Sequence, residues 1–275
     1  MKRISSWKDK VVLVTGGSSG LGKAIALAFA ARGAKVVVAA RRAEALSATA
    51  DEMRRPGHEV AALAADVTNP ADVERLFRET IARFGRLDVL VNNAGRSMRG
   101  ALRETTAEDF AAMFDLNVLG LVRCTHAALP HLLAQRGHLV NISSLAGKSA
   151  ARWVGAYSAS KFAVTAYSQQ LRLELADQGL HVLLVCPGPI ARTEPRHESA
   201  EAERAAARGR LPDSAWRPGA GVRTKALSPE RLADEIVRAC EARRPEIIRP
   251  RAARLLFALL QLAPRLGDWL VLKLT

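Results

Sequence analysis

Tyr157-Ser158-Ala159-Ser160-Lys161 opens a predicted helix, and the spacing of four puts a phenol and an ammonium on one helix face. An ordinary phenol, with a pKa of about 10, is a poor base near neutral pH. Making it useful takes a fall of about three units, or about 4 kcal/mol. A lysine charge about 4 Å away, at an effective dielectric near 20, supplies about that much. Beside a redox centre the pair is a proton-transfer device. Alone, the same spacing also occurs on ordinary solvated helix faces.

A second group of residues could hold such a centre. Thr15-Gly16-Gly17-Ser18-Ser19-Gly20-Leu21-Gly22 follows a short β-rich run, residues 11–14, and opens a helical pattern. A turn there aims backbone N–H groups and a positive helix end at one spot, which suits a pyrophosphate. Its glycines let the backbone come close and let the helix pack on the strand. A purely structural turn is the plainer alternative. Past the second strand, residues 36–40, an NAD site would place a carboxylate on the ribose 2′-hydroxyl. Arg41 and Arg42 stand there instead. Two guanidiniums can clamp a 2′-phosphate, which favours NADP(H) over NAD(H). The alternative is two solvated arginines at the start of the next helix. A cationic nicotinamide ring would also help to acidify the phenol.

These residues sit in a regular alternation of strand and helix. Strand runs fall at 11–14, 36–40, 60–65, 87–92, 137–143, 181–186 and 246–249; helical patterns fall at 21–31, 43–54, 70–84, 107–131, 157–178 and 229–243. The first six are continuous apolar runs, as expected when both faces are buried; the seventh is a short candidate after the last helix. Such order predicts an α/β fold, a doubly wound parallel sheet of Rossmann type. Residues 8–250 are read as one domain that binds the dinucleotide and does the chemistry. Within it, residues 192–227 are rich in Arg, Glu, Ala, Gly and Pro and read as a substrate lid, with a polar helix at 199–208. Residues 251–275 form a basic–apolar tail, broken at Pro264.

At these motifs the sequence resembles the short-chain dehydrogenases/reductases over residues 8–190, and more loosely to 250. The carrying motifs are Thr15–Gly22, Asp66-Val67-Thr68, Asn92–Gly95, Asn117 in Asp115-Leu116-Asn117-Val118, Ser144 in Asn141-Ile142-Ser143-Ser144, Tyr157 with Lys161, and Pro187-Gly188. The resemblance implies Tyr157 as general acid/base and Ser144 as donor to the substrate oxygen. It makes Lys161 the residue that lowers the Tyr157 pKa and binds the nicotinamide ribose, and Asn117 the holder of a proton-relaying water. It puts Gly16, Ser18, Ser19, Gly20, Leu21 and Gly22 on the pyrophosphate and Asp66 with Val67 on the adenine. Asn93, Ala94 and Gly95 would line the adenosine side, and Pro187, Gly188, Ile190 and Thr193 the nicotinamide. Two positions depart from the family pattern. Arg192 stands where a carboxamide-binding Thr is usual, with Thr193 one later. Ser19 replaces the basic residue common in NADP-using members, so Arg41 carries most of the NADP(H) assignment.

Composition agrees with this reading. The chain has 275 residues, 49% apolar and 25% charged, which argues against global disorder. Aromatics are 5%, so aliphatic side chains must build most of the core. No apolar run approaches the roughly 20 residues of a spanning helix. Cys124, Cys186 and Cys240 lie more than 50 residues apart, so neither a disulfide framework nor a metal site is expected, and a reduced, cytoplasmic setting fits. The net charge of +14 favours anionic partners: a nucleotide, a nucleic acid or an acidic membrane surface. Nucleic acid is disfavoured, because the arginines are dispersed and no aromatic interleaving accompanies them. The expected function is an oxidoreductase for a ketone or secondary alcohol. A non-catalytic dinucleotide-binding sensor is the alternative. Substrate walls would be Met98, the 145–156 loop with Trp153, and the lid. A homodimer or homotetramer through the two long helices is implied by the resemblance. The tail either packs on the body or a subunit, or lies on a membrane surface.

Overall fold

The computed structural model describes residues 7–54, 58–191, 211–216 and 225–274. Strands β1 (Val11–Thr15), β2 (Lys35–Ala40), β3 (Val60–Ala64), β4 (Val89–Asn92), β5 (His138–Ile142), β6 (His181–Pro187) and β7 (Glu246–Arg249) alternate with helices. These are α1 (Gly20–Ala30), α2 (Ala43–Met53), α3 (Pro70–Phe84), α4 (Ala107–Phe114), α5 (Gly120–Ala134), α6 (Tyr157–Glu174) and α7 (Pro229–Glu241), then α8 (Ala253–Leu262) and α9 (Pro264–Leu274) in the tail. The seven strands form one parallel sheet in the order β3-β2-β1-β4-β5-β6-β7. The order reverses between β1 and β4. In an open α/β sheet that switch point, at the carboxyl ends of the strands, is where ligands bind.

The apolar strand runs follow from burial on both faces. In β1, Val12 and Val14 join a core with Ile25 and Phe29 of α1 and Ile236 of α7. Val11 and Leu13 point the other way, into a core with Phe77, Leu132 and Leu171. Each fully buried Leu, Ile or Phe contributes roughly 1.5–3 kcal/mol. Helix punctuation is local as well. Asn69 caps α3 by accepting from the Ala71 N–H at 2.9 Å, Pro70 sits in its first turn, and Gly85 ends it at φ 73°.

Two helices differ from the sequence expectation. The helix expected over 107–131 is α4 and α5 joined by a π-helical turn, Asp115–Leu119, because Asn117 turns inward to bond the backbone of Arg96. The helix expected to reach 178 ends at Glu174, and the chain turns at Gly179, φ 81°. The polar helix expected at 199–208 lies outside the described residues. No helix among the described residues is long and apolar enough to cross a membrane.

At the amino ends of β5 and β6, away from the switch point, two buried histidines meet. His181 Nε2–H donates to the Arg244 carbonyl at 2.7 Å, so its Nδ1 accepts from His138 Nδ1–H at 2.8 Å. The Cys240 thiol is close by, all three donor atoms lying within 4.8 Å of one another. Burial lowers both imidazoles, His181 to about 4 and His138 well below its ordinary value. A neutral imidazole that must charge on unfolding stabilises the fold above its unfolded pKa of about 6.5, and that stability is lost as pH falls through the folded value. His181 alone is expected to remove about 3 kcal/mol between pH 6.5 and 4. Urea unfolding at stepped pH checks this; the pH slope should flatten in the His138→Asn/His181→Asn double variant.

Candidate active site

The carboxyl ends of β1, β2, β4, β5 and β6 share one edge, so the residues after them gather there. After β1 the backbone turns at Gly16, φ 63°. A Cβ on Gly22 would lie 2.2 Å from the Gly16 carbonyl oxygen and 2.5 Å from Asn93 Nδ2, so only glycine lets α1 start this close to the turn. Gly20, φ 51°, faces open space: a Cβ there would meet nothing within 4 Å. Ser19 caps α1 without a side-chain bond, and the first turn carries no acidic residue. The Ser18 carbonyl accepts from Thr49 Oγ1 of α2 at 3.0 Å. An open, uncapped helix amino end beside glycine backbone fits a dinucleotide pyrophosphate.

The neighbours of this turn divide into structural and available groups. Asn93 Nδ2 donates to the carbonyls of Thr15 and Gly16 at 3.1 and 3.0 Å, while Thr15 Oγ1 accepts from the N–H of Asn93 and Ala94. The Asn93 side chain therefore pins the turn to β4. Asp66, just past β3, accepts at Oδ1 from the Thr68 N–H and hydroxyl, at 2.9 and 2.8 Å. Its neighbour Val67 is buried against Gly120, where a Cβ would sit 2.8 Å from Val67 Cγ2. Arg41 and Arg42 are exposed immediately after β2, and neither has an ion-pair partner among the described residues. Two exposed guanidiniums paired with no carboxylate among the described residues fit a 2′-phosphate.

After β5, the two serines separate by strand alternation. Ser143 is buried, its hydroxyl donating to the Lys161 carbonyl and meeting Thr165 Oγ1, both at 3.0 Å. Ser144 instead faces the phenol of Tyr157 and caps a short 3-10 turn, accepting from the Ala146 N–H at 3.1 Å. In the first turn of α6, Lys161 is buried and donates to the Ile142 carbonyl at 2.9 Å; its Nζ lies 5.9 Å from the Tyr157 ring centroid. Asn117 Nδ2 reaches the Arg96 carbonyl, Ser160 Oγ and Met113 Sδ at 3.0 Å, and Oδ1 accepts from the Arg96 N–H at 2.9 Å. Gly95 closes the group: a Cβ on it would meet Asn117 Oδ1 at 2.9 Å and Lys161 Nζ at 3.7 Å.

Electrostatics modify the sequence expectation. Burial pushes the Tyr157 phenol above its ordinary value, against the hydrogen bond from Ser144 and the charge of Arg99, which lower it. Burial also brings Lys161 down to about 8. The expected fall driven by Lys161 is thus not a property of the chain by itself. Desolvation of the phenol is the largest cause, and the Lys161 ammonium is directed at the Ile142 carbonyl.

Arg99 was not foreseen as a neighbour of the phenol. The signal was its place just after Asn92–Gly95, and Gly100 bridges to Val154, ahead of Tyr157. Trp153, φ 61°, packs with Ala101, Leu211, Ala215 and Trp216, and the Arg152 guanidinium lies 5.0 Å from its ring centroid. Pro187 ends β6, the Gly188 N–H donates to the Arg249 carbonyl at 2.7 Å, and Ile190 bridges to Leu227. Thr193, Arg192 and most of the expected lid lie outside the described residues.

A dinucleotide cradle at the switch point with acid–base side chains on the same edge is the architecture of nucleotide-dependent oxidoreductases. The chain belongs to one family of them, the short-chain dehydrogenases/reductases: the family profile described as short chain dehydrogenase matches residues 10–204. It is 33% identical over 276 residues to the uncharacterized oxidoreductase YxnA of Bacillus subtilis (strain 168), covering 99% of this chain and 74% of that protein. Among solved structures it resembles a short chain dehydrogenase/reductase from Burkholderia phymatum in complex with NAD, at 28% identity and TM-score 0.80, covering 96% of each chain. It also resembles an alcohol dehydrogenase from the archaeon Thermococcus sibiricus complexed with 5-hydroxy-NADP, at 26% identity and TM-score 0.71, covering 87% of this chain and 95% of that one.

Proposed function

We propose that the protein is an NADP(H)-dependent oxidoreductase interconverting a ketone and a secondary alcohol. The observation that carries this is the convergence of Ser144, Tyr157 and Lys161 beside Gly95, on the sheet edge that also bears the open glycine turn. When bound, NADP(H) supplies or accepts the hydride at nicotinamide C4. Its pyrophosphate fits the turn from Gly16 to Gly22, its adenine Asp66 and Val67, and its 2′-phosphate Arg41 and Arg42. Ala94, Gly95, Pro187, Gly188 and Ile190 complete the cleft.

In reduction, the Ser144 hydroxyl donates to the substrate oxygen as charge develops there. Tyr157 gives its proton to that oxygen as the carbon gains the hydride, which balances the alcohol formed. Lys161 holds the nicotinamide ribose, and its ammonium stabilises the phenolate left behind. Asn117 is a positioning residue: its amide is committed to Arg96 and Ser160, and it holds the 95–96 backbone against α6. A relay water at this residue therefore sits on its main chain. The substrate is apolar, with Met98 and the 145–156 loop as walls. Leu119, Phe162 and Leu173, exposed on the long helices, support pairing with a second copy there.

Thermal unfolding of the full chain with each dinucleotide tests the cofactor assignment. Saturating NADP, at about 100 times its Kd, is expected to raise the midpoint by about 5 °C or more, and NAD by much less. Arg41→Ala/Arg42→Ala should erase the difference by weakening NADP binding about 100-fold, the loss of about 3 kcal/mol of charge-assisted hydrogen bonding. Stronger stabilisation by NAD would overturn the assignment.

A further inference from the structure

The C-terminal helices present an apolar face and a basic groove side by side. α8 buries Phe257 and packs Ala253 and Leu260 against Leu184, Cys186 and Ile248. Its other side is bare: Leu255 is 79% exposed and Leu262 85%. On α9, Leu266, Trp269 and Leu272 recur every third residue, all exposed. Outside this pair of helices, the exposed large apolar side chains among the described residues are four, on other elements, so the apolar surface is concentrated here. The two helices are held together at Gly267, where a Cβ would lie 2.4 Å from Leu260 Cδ2.

Between α8 and the edge strand β7 runs a groove of about 780 Å³, floored by Ile247, Ile248 and Phe257. Two carboxylates on its wall are already paired, Glu246 with Lys148 at 2.6 Å and Glu235 with Arg249. Arg244, Arg251 and Arg254 also line it and have no carboxylate partner among the described residues. Lys273 Nζ lies 4.3 Å from the Trp269 ring centroid, a cation and an indole at one end of the apolar face.

We propose that the α8–α9 pair lies in the interfacial plane of an anionic phospholipid bilayer, its leucines and Trp269 in the acyl boundary and lipid phosphates in the Arg244–Arg251–Arg254 groove. An amphipathic surface with basic flanks has the composition for that place. A second copy of this chain is the weaker fit. A two-fold contact sets the same patch against itself and would bring unpaired arginines together. The arrangement also deepens the proposed function and, as a statement about substrate, rests on it. Leu145, next to Ser144, packs against the same cluster as Phe257, so a docked enzyme holds its site close to a lipid phase from which an apolar carbonyl compound is drawn.

The full chain is mixed with vesicles of phosphatidylcholine alone or with phosphatidylglycerol, some carrying brominated acyl chains. Binding by flotation is expected on the anionic vesicles only and should fall with salt. Brominated chains should quench tryptophan emission, and Trp269→Phe should lose that quenching. Arg251→Ala/Arg254→Ala should lower vesicle partition about 30-fold. Leu255→Glu/Leu262→Glu should abolish quenching, while light scattering reports an unchanged oligomer. Three results would overturn the proposal: no quenching of the unaltered protein, release by inorganic phosphate beyond that of chloride at equal ionic strength, or leucine variants that dissociate the oligomer yet still float. None of these readouts depends on turnover, so a failed dehydrogenase assignment would leave them intact.

Discussion

Tyr157→Phe is expected to lower kcat by about 10³-fold, the middle of the range for a positioned acid–base group. Its affinity for NADP should barely change. The half-buried phenol faces the Ser144 hydroxyl, with Lys161 Nζ 5.9 Å from its ring centroid, and phenylalanine fills the same space without a transferable proton. The ring still packs, the Lys161 bond to the Ile142 carbonyl survives, and the glycine turn is untouched. A loss confined to kcat, with dinucleotide Kd unaltered by fluorescence titration, isolates proton transfer from binding. Equal loss of both would mean that Tyr157 serves to build the cleft.

The oxidised dinucleotide is expected to pull the Tyr157 phenol down, toward the phenolate. In the chain by itself the phenol stands above its ordinary value, because burial penalises the phenolate more than Ser144 and Arg99 favour it. Such a phenol is fully protonated near neutral pH, the state needed to donate to a developing alkoxide. Oxidation of an alcohol needs the phenolate instead. A nicotinamide cation beside the phenol would favour the phenolate by its charge. Lys161 adds to this while it is charged; with its own pKa near 8, its help fades as pH rises through that value. The alcohol-oxidation rate should therefore rise with pH through the phenol's lowered pKa, and carbonyl reduction should be flat until the phenol ionises.

Much of this arrangement was legible in the residues. Six apolar runs are strands β1 to β6, because a run buried on both faces has no polar alternation to hide it; the short Glu246–Arg249 segment is the seventh strand, at the sheet edge. Gly16, Gly20 and Gly22 announced the turn, and the structure supplies the reason at Gly22, a contact no side chain could survive. What stayed illegible depends on contacts distant in sequence. The bonds of the Asn93 amide to the carbonyls of Thr15 and Gly16 reach 78 and 77 residues back, which no motif reveals. The π turn at Asn117 follows from a bond to Arg96, which no helical periodicity reveals. Desolvation of Tyr157 and Lys161 is a property of the packed site, and the spacing of four fixed only their common face. Trp153 packs against a cluster that includes Leu211 and Ala215, far along the chain.

The chain has two tyrosines, Tyr157 and Tyr167, so phenolate formation can be followed directly by ultraviolet difference absorbance. Tyr167→Phe leaves Tyr157 as the sole signal. Titrated without dinucleotide, that signal is expected to appear above the ordinary phenol value. With saturating NADP⁺ it should move to lower pH, the direction that a neighbouring cation favours. A midpoint that NADP⁺ leaves where it was would contradict the role assigned to Tyr157.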